Sequence, residues 1–146
     1  MGRRRQGREI ALQALYIADT SRTPVEEAIK IVNRRRPDSE EADAATLAFA
    51  EELIQGTCER RPELDALIEK TAQNWTIARM AAVDRSMLRL AAYELLFHAD
   101  TPVGVIIDEA IEIVRKYSGE DSTRFINGIL DKIKDKRQDG HGPGSA

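Results

Sequence analysis

Over residues 83–99 the chain reads VDRSMLRLAAYELLFHA, with apolar residues at Val83, Met87, Leu88, Leu90, Ala91, Ala92, Leu95, Leu96 and Ala99. On a 3.6-residue wheel these cover far more than one stripe, which predicts a helix enclosed on several sides. The polar residues Arg85, Arg89 and Glu94 inside it need partners, because an unpaired buried ion costs several kcal/mol. Arg89 is expected to be a satisfied core arginine held by Asp108 or Glu109 of the next helix.

Helical spacing recurs on both sides of this stretch. A first helix is expected over about residues 5–20, with Ile10, Ala11, Ala14, Leu15, Ile17 and Ala18 on its apolar face. Thr23 as N-cap and Pro24 at the first helical position restart the chain, and Val25, Ala28, Ile29 and Val32 carry a second helix. It stops at Arg34-Arg35-Arg36-Pro37, a triplet that suits the negative end of the helix dipole in solvent and could alternatively bind phosphate. Asp38 or Ser39 is expected to cap a third helix reaching about residue 58, where Gly56 permits close packing. Pro62 opens a fourth, and Asn74-Trp75-Thr76 breaks the pattern before the central helix. After Asp100-Thr101-Pro102, Val103, Ile106, Ile107, Ala110, Ile111, Ile113, Val114 and Tyr117 follow helical spacing. Asp121 after Gly119 is expected to cap the last helix, whose stripe is Ile126, Ile129, Leu130 and Ile133. Asn127-Gly128 ordinarily signals a hairpin, but the helical period runs through it, so Gly128 is read as a tight helix crossing. Residues 137–146 have no apolar period and are expected to form a disordered tail. No segment alternates as a strand, and the chain reads as all-α.

Composition alters this picture little, but charge distribution adds to it. The 146 residues are 42% hydrophobic and 32% charged, enough for one domain with a sizeable core. Net charge is −3, yet Arg3, Arg4, Arg5 and Arg8 give residues 1–8 a local +4, so −3 less +4 leaves −7 on the rest. A basic arm on an acidic body suggests a local anionic partner. Cys58 is the only cysteine, which excludes an internal disulfide and is expected to pack as a small hydrophobe. The N-terminus superficially resembles a signal peptide, but Glu9 and Gln13 interrupt its apolar segment. A cytoplasmic protein is expected. There is no glycine-rich phosphate loop, CxxC or HExxH, and His98 and His141 stand apart, so neither catalysis, cofactor nor metal is expected.

Four blocks make the sequence specific: RRRQGREIALQALYIAD, VDRSMLRLAAYELLF, PVGVIIDEAIEIVRKY and EDSTRFINGILDKI. In this order and spacing, with NWTIAR between, they resemble the NusB family of transcription antitermination factors over about residues 3–136. The resemblance implies an all-α, NusB-like fold of two packed three-helix subdomains, about 1–78 and 79–136. It also implies a non-enzymatic factor that binds boxA-type single-stranded RNA with NusE, a small-subunit ribosomal protein, to promote ribosomal RNA transcription. NusA, NusG and RNA polymerase would complete the complex, and a homodimer is possible. Arg3, Arg4, Arg5 and Arg8 would meet phosphates, and Tyr16 and Phe125 would offer stacking platforms, with Asp121, Ser122 and Arg124 at or beside the RNA. Asp84 matches a position implicated in NusE contact. The competing readings are a helical adaptor that binds only protein, and an RNA-binding accessory domain for an RNA-modifying enzyme.

Overall fold

The computed structural model describes residues 2–36 and 42–137. These hold seven helices and no strand: α1 (Arg3–Ser21), α2 (Val25–Arg35), α3 (Ala44–Glu59), α4 (Arg61–Ala72), α5 (Ala82–Phe97), α6 (Val103–Tyr117) and α7 (Glu120–Ile133). Short 3-10 turns lie at Ile77–Arg79 and Lys134–Lys136. None of the described helices is long and apolar enough to cross a membrane.

Helix α5 is the axis of the fold and packs against α1, α3, α4, α6 and α7. Met87, Leu88, Leu90, Ala91, Ala92 and Leu95 are all fully buried, as a stripe wider than one face requires. One continuous apolar core joins the helices on either side of it. Helix α4 packs chiefly on α5 and α7 rather than on α3.

The charges within α5 find partners other than those expected. Arg89 binds Asp65 of α4 at 2.7 and 3.2 Å, with Asp19 of α1 at 3.8 Å, so it faces away from α6. Asp108 is exposed, and Glu109 is already held by Arg5. Glu94, 1% exposed, receives both Nε and a terminal nitrogen of Arg8, itself 3% exposed. Arg8 therefore holds α1 to the central helix.

Several local expectations are corrected. Pro24 occupies the cap position of α2 and Val25 begins the helix; the Thr23 hydroxyl donates to the Ser21 carbonyl at 3.4 Å instead of capping. Asp43 caps α3 by accepting from the Thr46 N–H at 2.8 Å, while Asp38 and Ser39 lie outside the described residues. Gly119 caps α7 and Asp121 lies in its first turn; the Thr123 hydroxyl donates to the Glu120 carbonyl at 2.8 Å. Cys58 is exposed rather than packed in the core.

The glycines divide in the same way. A Cβ on Gly128 would have no neighbour within 4 Å, so this glycine makes no tight crossing. The close crossings are at Gly56, where a Cβ would lie 2.0 Å from Tyr93 Cζ, and at Gly7, where it would lie 2.7 Å from Phe49 Cδ2 and 3.3 Å from the Thr46 carbonyl. Arg137 donates to the His98 carbonyl, and the remaining expected tail, 138–146, lies outside the described residues.

Candidate nucleic-acid interface

The four arginines of the arm all lie on α1, but they are not equivalent. Arg5 forms a two-point pair with Glu109 of α6 at 2.8 and 2.7 Å, which holds the Glu109 carboxyl below its ordinary range. Arg8 is consumed in the core pair with Glu94. Arg3, with its side chain 78% exposed, touches Asp43 at 3.2 Å. Arg4 lies 4.3 Å above the Phe49 ring and is also exposed. Two guanidinium groups therefore face solvent at the start of α1, whose cap residue Gly2 supplies no side-chain hydrogen bond.

At the other end of the site, four predicted residues come together. Asp84, Asp121, Ser122 and Phe125 line a cleft of about 340 Å³ with Trp75 and Arg79. Asp84 lies in the first turn of α5 and is 7% exposed. Its Oδ2 accepts from the Ser122 hydroxyl at 3.2 Å, whereas buried Oδ1 has no hydrogen-bond partner among the described residues. Desolvation pushes this carboxyl upward, and the Ser122 bond opposes the shift only in part. Asp84 thus stands with the α7 residues in this cleft. Asp121, 99% exposed, pairs with Arg124 one turn on.

Trp75, outside the set of residues expected at the site, lines the same cleft. It is 44% exposed and meets Phe125 edge to face, with ring centroids 6.0 Å apart, and Arg79 lies 5.6 Å from its ring. It follows a γ-turn centred on Gln73 (φ 63°, ψ −68°), closed by the Asn74 N–H to the Ala72 carbonyl at 2.6 Å. Positive φ at a long side chain is strained backbone, and such strain clusters where a side chain is held for a purpose. The only sequence signal was the break in helical period at Asn74-Trp75-Thr76.

Tyr16 opens onto a third surface. It is 38% exposed and lines a cleft of about 570 Å³ with Gln13, Arg35, Arg36, Val83 and Tyr117. The Gln13 amide donates to the Tyr117 hydroxyl at 2.8 Å. Arg35 and Arg36, two members of the triplet expected to face solvent, thus share a cleft with two tyrosines. Val83 lines this cleft and Asp84 the one beyond, so the two clefts flank the start of α5.

Fold and surface together define an all-helical scaffold whose exposed aromatics stand beside cations. The NusB family model matches residues 5–135. The transcription antitermination protein NusB of Elusimicrobium minutum is 49% identical over 142 residues, covering 96% of this chain and 99% of that protein. This chain belongs to the NusB family. Solved structures agree with the fold: NusB of T. maritima superposes with a TM-score of 0.83 at 35% identity, covering 97% of this chain and 94% of that one. A structure of the antitermination factors NusB and NusE in complex with double-stranded RNA superposes with a TM-score of 0.82 at 27% identity, covering 92% and 97%.

Proposed function

We propose that this chain is a non-enzymatic transcription antitermination factor that binds boxA-type single-stranded RNA together with NusE and promotes ribosomal RNA transcription in the cytoplasm. Family membership over residues 5–135 carries this reading, supported by the likeness to a NusB–NusE–RNA complex. NusA, NusG and RNA polymerase complete the assembly. In this reading Arg3 and Arg4 meet phosphates, while Tyr16, Phe125 and Trp75 stack bases. Ser122, Asp121 and Arg124 contact the same strand at the start of α7. Arg5 and Arg8 support the surface by fixing α1 to α6 and α5. Asp84 orders Ser122 and reaches NusE only through the surface around it.

The adaptor that binds only protein gains from one observation: two of the four arm cations are spent inside the molecule. The test is binding of a boxA-like RNA and a scrambled control, with and without NusE, by wild type and a Phe125→Ala/Trp75→Ala variant. A boxA preference that rises with NusE and falls in the variant is expected. Equal weak binding of both RNAs, unchanged in the variant, would favour the protein-only adaptor.

A further inference from the structure

A cleft of about 220 Å³ lies on a different part of the molecule, between the α1–α2 turn and α3, α4 and α5. Asp19, Thr57, Cys58, Arg61, Ser86 and Arg89 line it. Thr57 and Ser86 are each 1% exposed, and neither hydroxyl has a hydrogen-bond partner among the described residues. Buried polar groups are nearly always satisfied, so two orphaned hydroxyls on one cleft point to something that fills it.

Charge narrows what that is. Within the ion-pair network two carboxylates, Asp19 and Asp65, are shared by three arginines, Arg61, Arg85 and Arg89, so the arginines outnumber their own partners. Arg85 and Arg89 are committed through bonds of 2.7 Å. Arg61 stands 3.7 Å from Asp19 and 3.6 Å from Asp65, too far for hydrogen bonds, so its N–H groups remain available. Desolvation keeps the Cys58 thiol above its ordinary range, with Arg61 and Arg89 pulling it down and Glu26 and Glu59 pushing it up. Helices α2 and α4 both begin at this cleft, with Val25 and Arg61, and neither has a side-chain cap. Their free N–H groups add partial positive charge.

We propose that this cleft binds a small tetrahedral oxyanion of the phosphate class, held by Arg61 and the Ser86 and Thr57 hydroxyls. The volume equals roughly seven waters at about 30 Å³ each. It lies below the roughly 300–1,000 Å³ of sites for drug-sized molecules, which excludes a whole nucleotide. Bound there, the anion ties α3 to α4 and α5 beside the α1–α2 turn.

The test is thermal unfolding in inorganic phosphate against chloride at matched ionic strength and pH, with ³¹P line width as a direct readout. Wild type is expected to show a saturable rise in Tm of roughly 5–10 °C at a hundredfold excess over Kd. Ser86→Ala and Arg61→Gln should fold normally by circular dichroism and lose both the rise and the line broadening. A rise without saturation that persists in both variants is general exclusion of phosphate from the protein surface and overturns the site. No line broadening in wild type overturns it equally. A 5′-phosphorylated RNA that displaces inorganic phosphate would identify a terminal RNA phosphate as the occupant. Binding of phosphate unaffected by that RNA would identify the free ion.

Discussion

Two regions of this protein carry nearly the same kinds of residue and use them in opposite ways. At the start of α1, arginines meet carboxylates in two-point pairs: Arg5 with Glu109 and Arg8 with Glu94. At the start of α7, Arg124 and Asp121 also pair, but with side chains 73% and 99% exposed. The buried Arg8–Glu94 pair and the part-buried Arg5–Glu109 pair hold helices together; the exposed pair exchanges with water and contributes little. A count of charges in sequence therefore overstates what a partner can reach. Of the arm's four arginines, only Arg3 and Arg4 are exposed, while the α7 end keeps Arg124 and Trp75 exposed beside a partly buried Phe125.

The largest effect should come from breaking that contrast at its buried end. Arg8→Met leaves Glu94 charged and unpaired among apolar neighbours, and unfolding free energy should fall by about 3–5 kcal/mol. Adding Glu94→Leu should restore most of it, because the orphaned charge is gone. Arg124→Ala should leave Tm unchanged in the same denaturation series. A small loss in Arg8→Met would mean that water reaches the pair and would erase the distinction.

Next is the seat of the arm. Gly7→Ala places a methyl 2.7 Å from the Phe49 ring and 3.3 Å from the Thr46 carbonyl. The ring can turn but the backbone carbonyl must move, so a loss of about 1–3 kcal/mol in urea unfolding is expected. Phe49 also carries Arg4, so RNA affinity should fall along with stability.

Helical periodicity made the all-α fold and the enclosure of α5 legible, because burial on several sides leaves its mark on every turn. It also carried the chain through Asn127-Gly128 correctly. What it could not supply was the identity of partners across helices. Arg8 and Glu94 are 86 positions apart, and periodicity says which face a residue occupies, not which helix comes to meet it. The wrong partner for Arg89 has this cause. Caps were misplaced where two capping residues stood within a few positions, as at Thr23 and Pro24 or Gly119 and Asp121. In the candidate site, Asp121, Ser122 and Phe125 entered through the family resemblance rather than through periodicity, and they lie together near the start of α7. Trp75 was hidden, since Gln73 rather than glycine occupies the positive-φ position that turns it toward Phe125.

That turn offers a gain rather than a loss. Gln73→Gly removes the Cβ strain at φ 63°, so stability should rise by up to about 1 kcal/mol. RNA affinity should fall a few-fold if the strained turn holds Trp75 in place for a base. Unchanged affinity would remove the turn from the site and leave the aromatic pair acting without it.

The smallest effect tests the opposite pole of the comparison, a buried acid without an arginine. Desolvation raises the Asp84 carboxyl above its unfolded value, so the folded state holds its proton more tightly. Between the unfolded and folded values the native protein binds more protons, and stability falls as pH rises through that window. The sign is opposite for Glu109, whose carboxyl is lowered by Arg5 and whose contribution is lost as pH falls. Asp84→Asn should therefore flatten the upper part of the carboxylate range in a stability–pH profile while keeping an acceptor for Ser122. Its own stability at neutral pH should equal or slightly exceed that of the wild type. A loss of stability there would mean that the charged form of Asp84 is favoured by the start of α5 more than burial opposes it. The acid would then resemble the paired carboxylates of the arm, and the contrast between the two ends would rest on exposure alone.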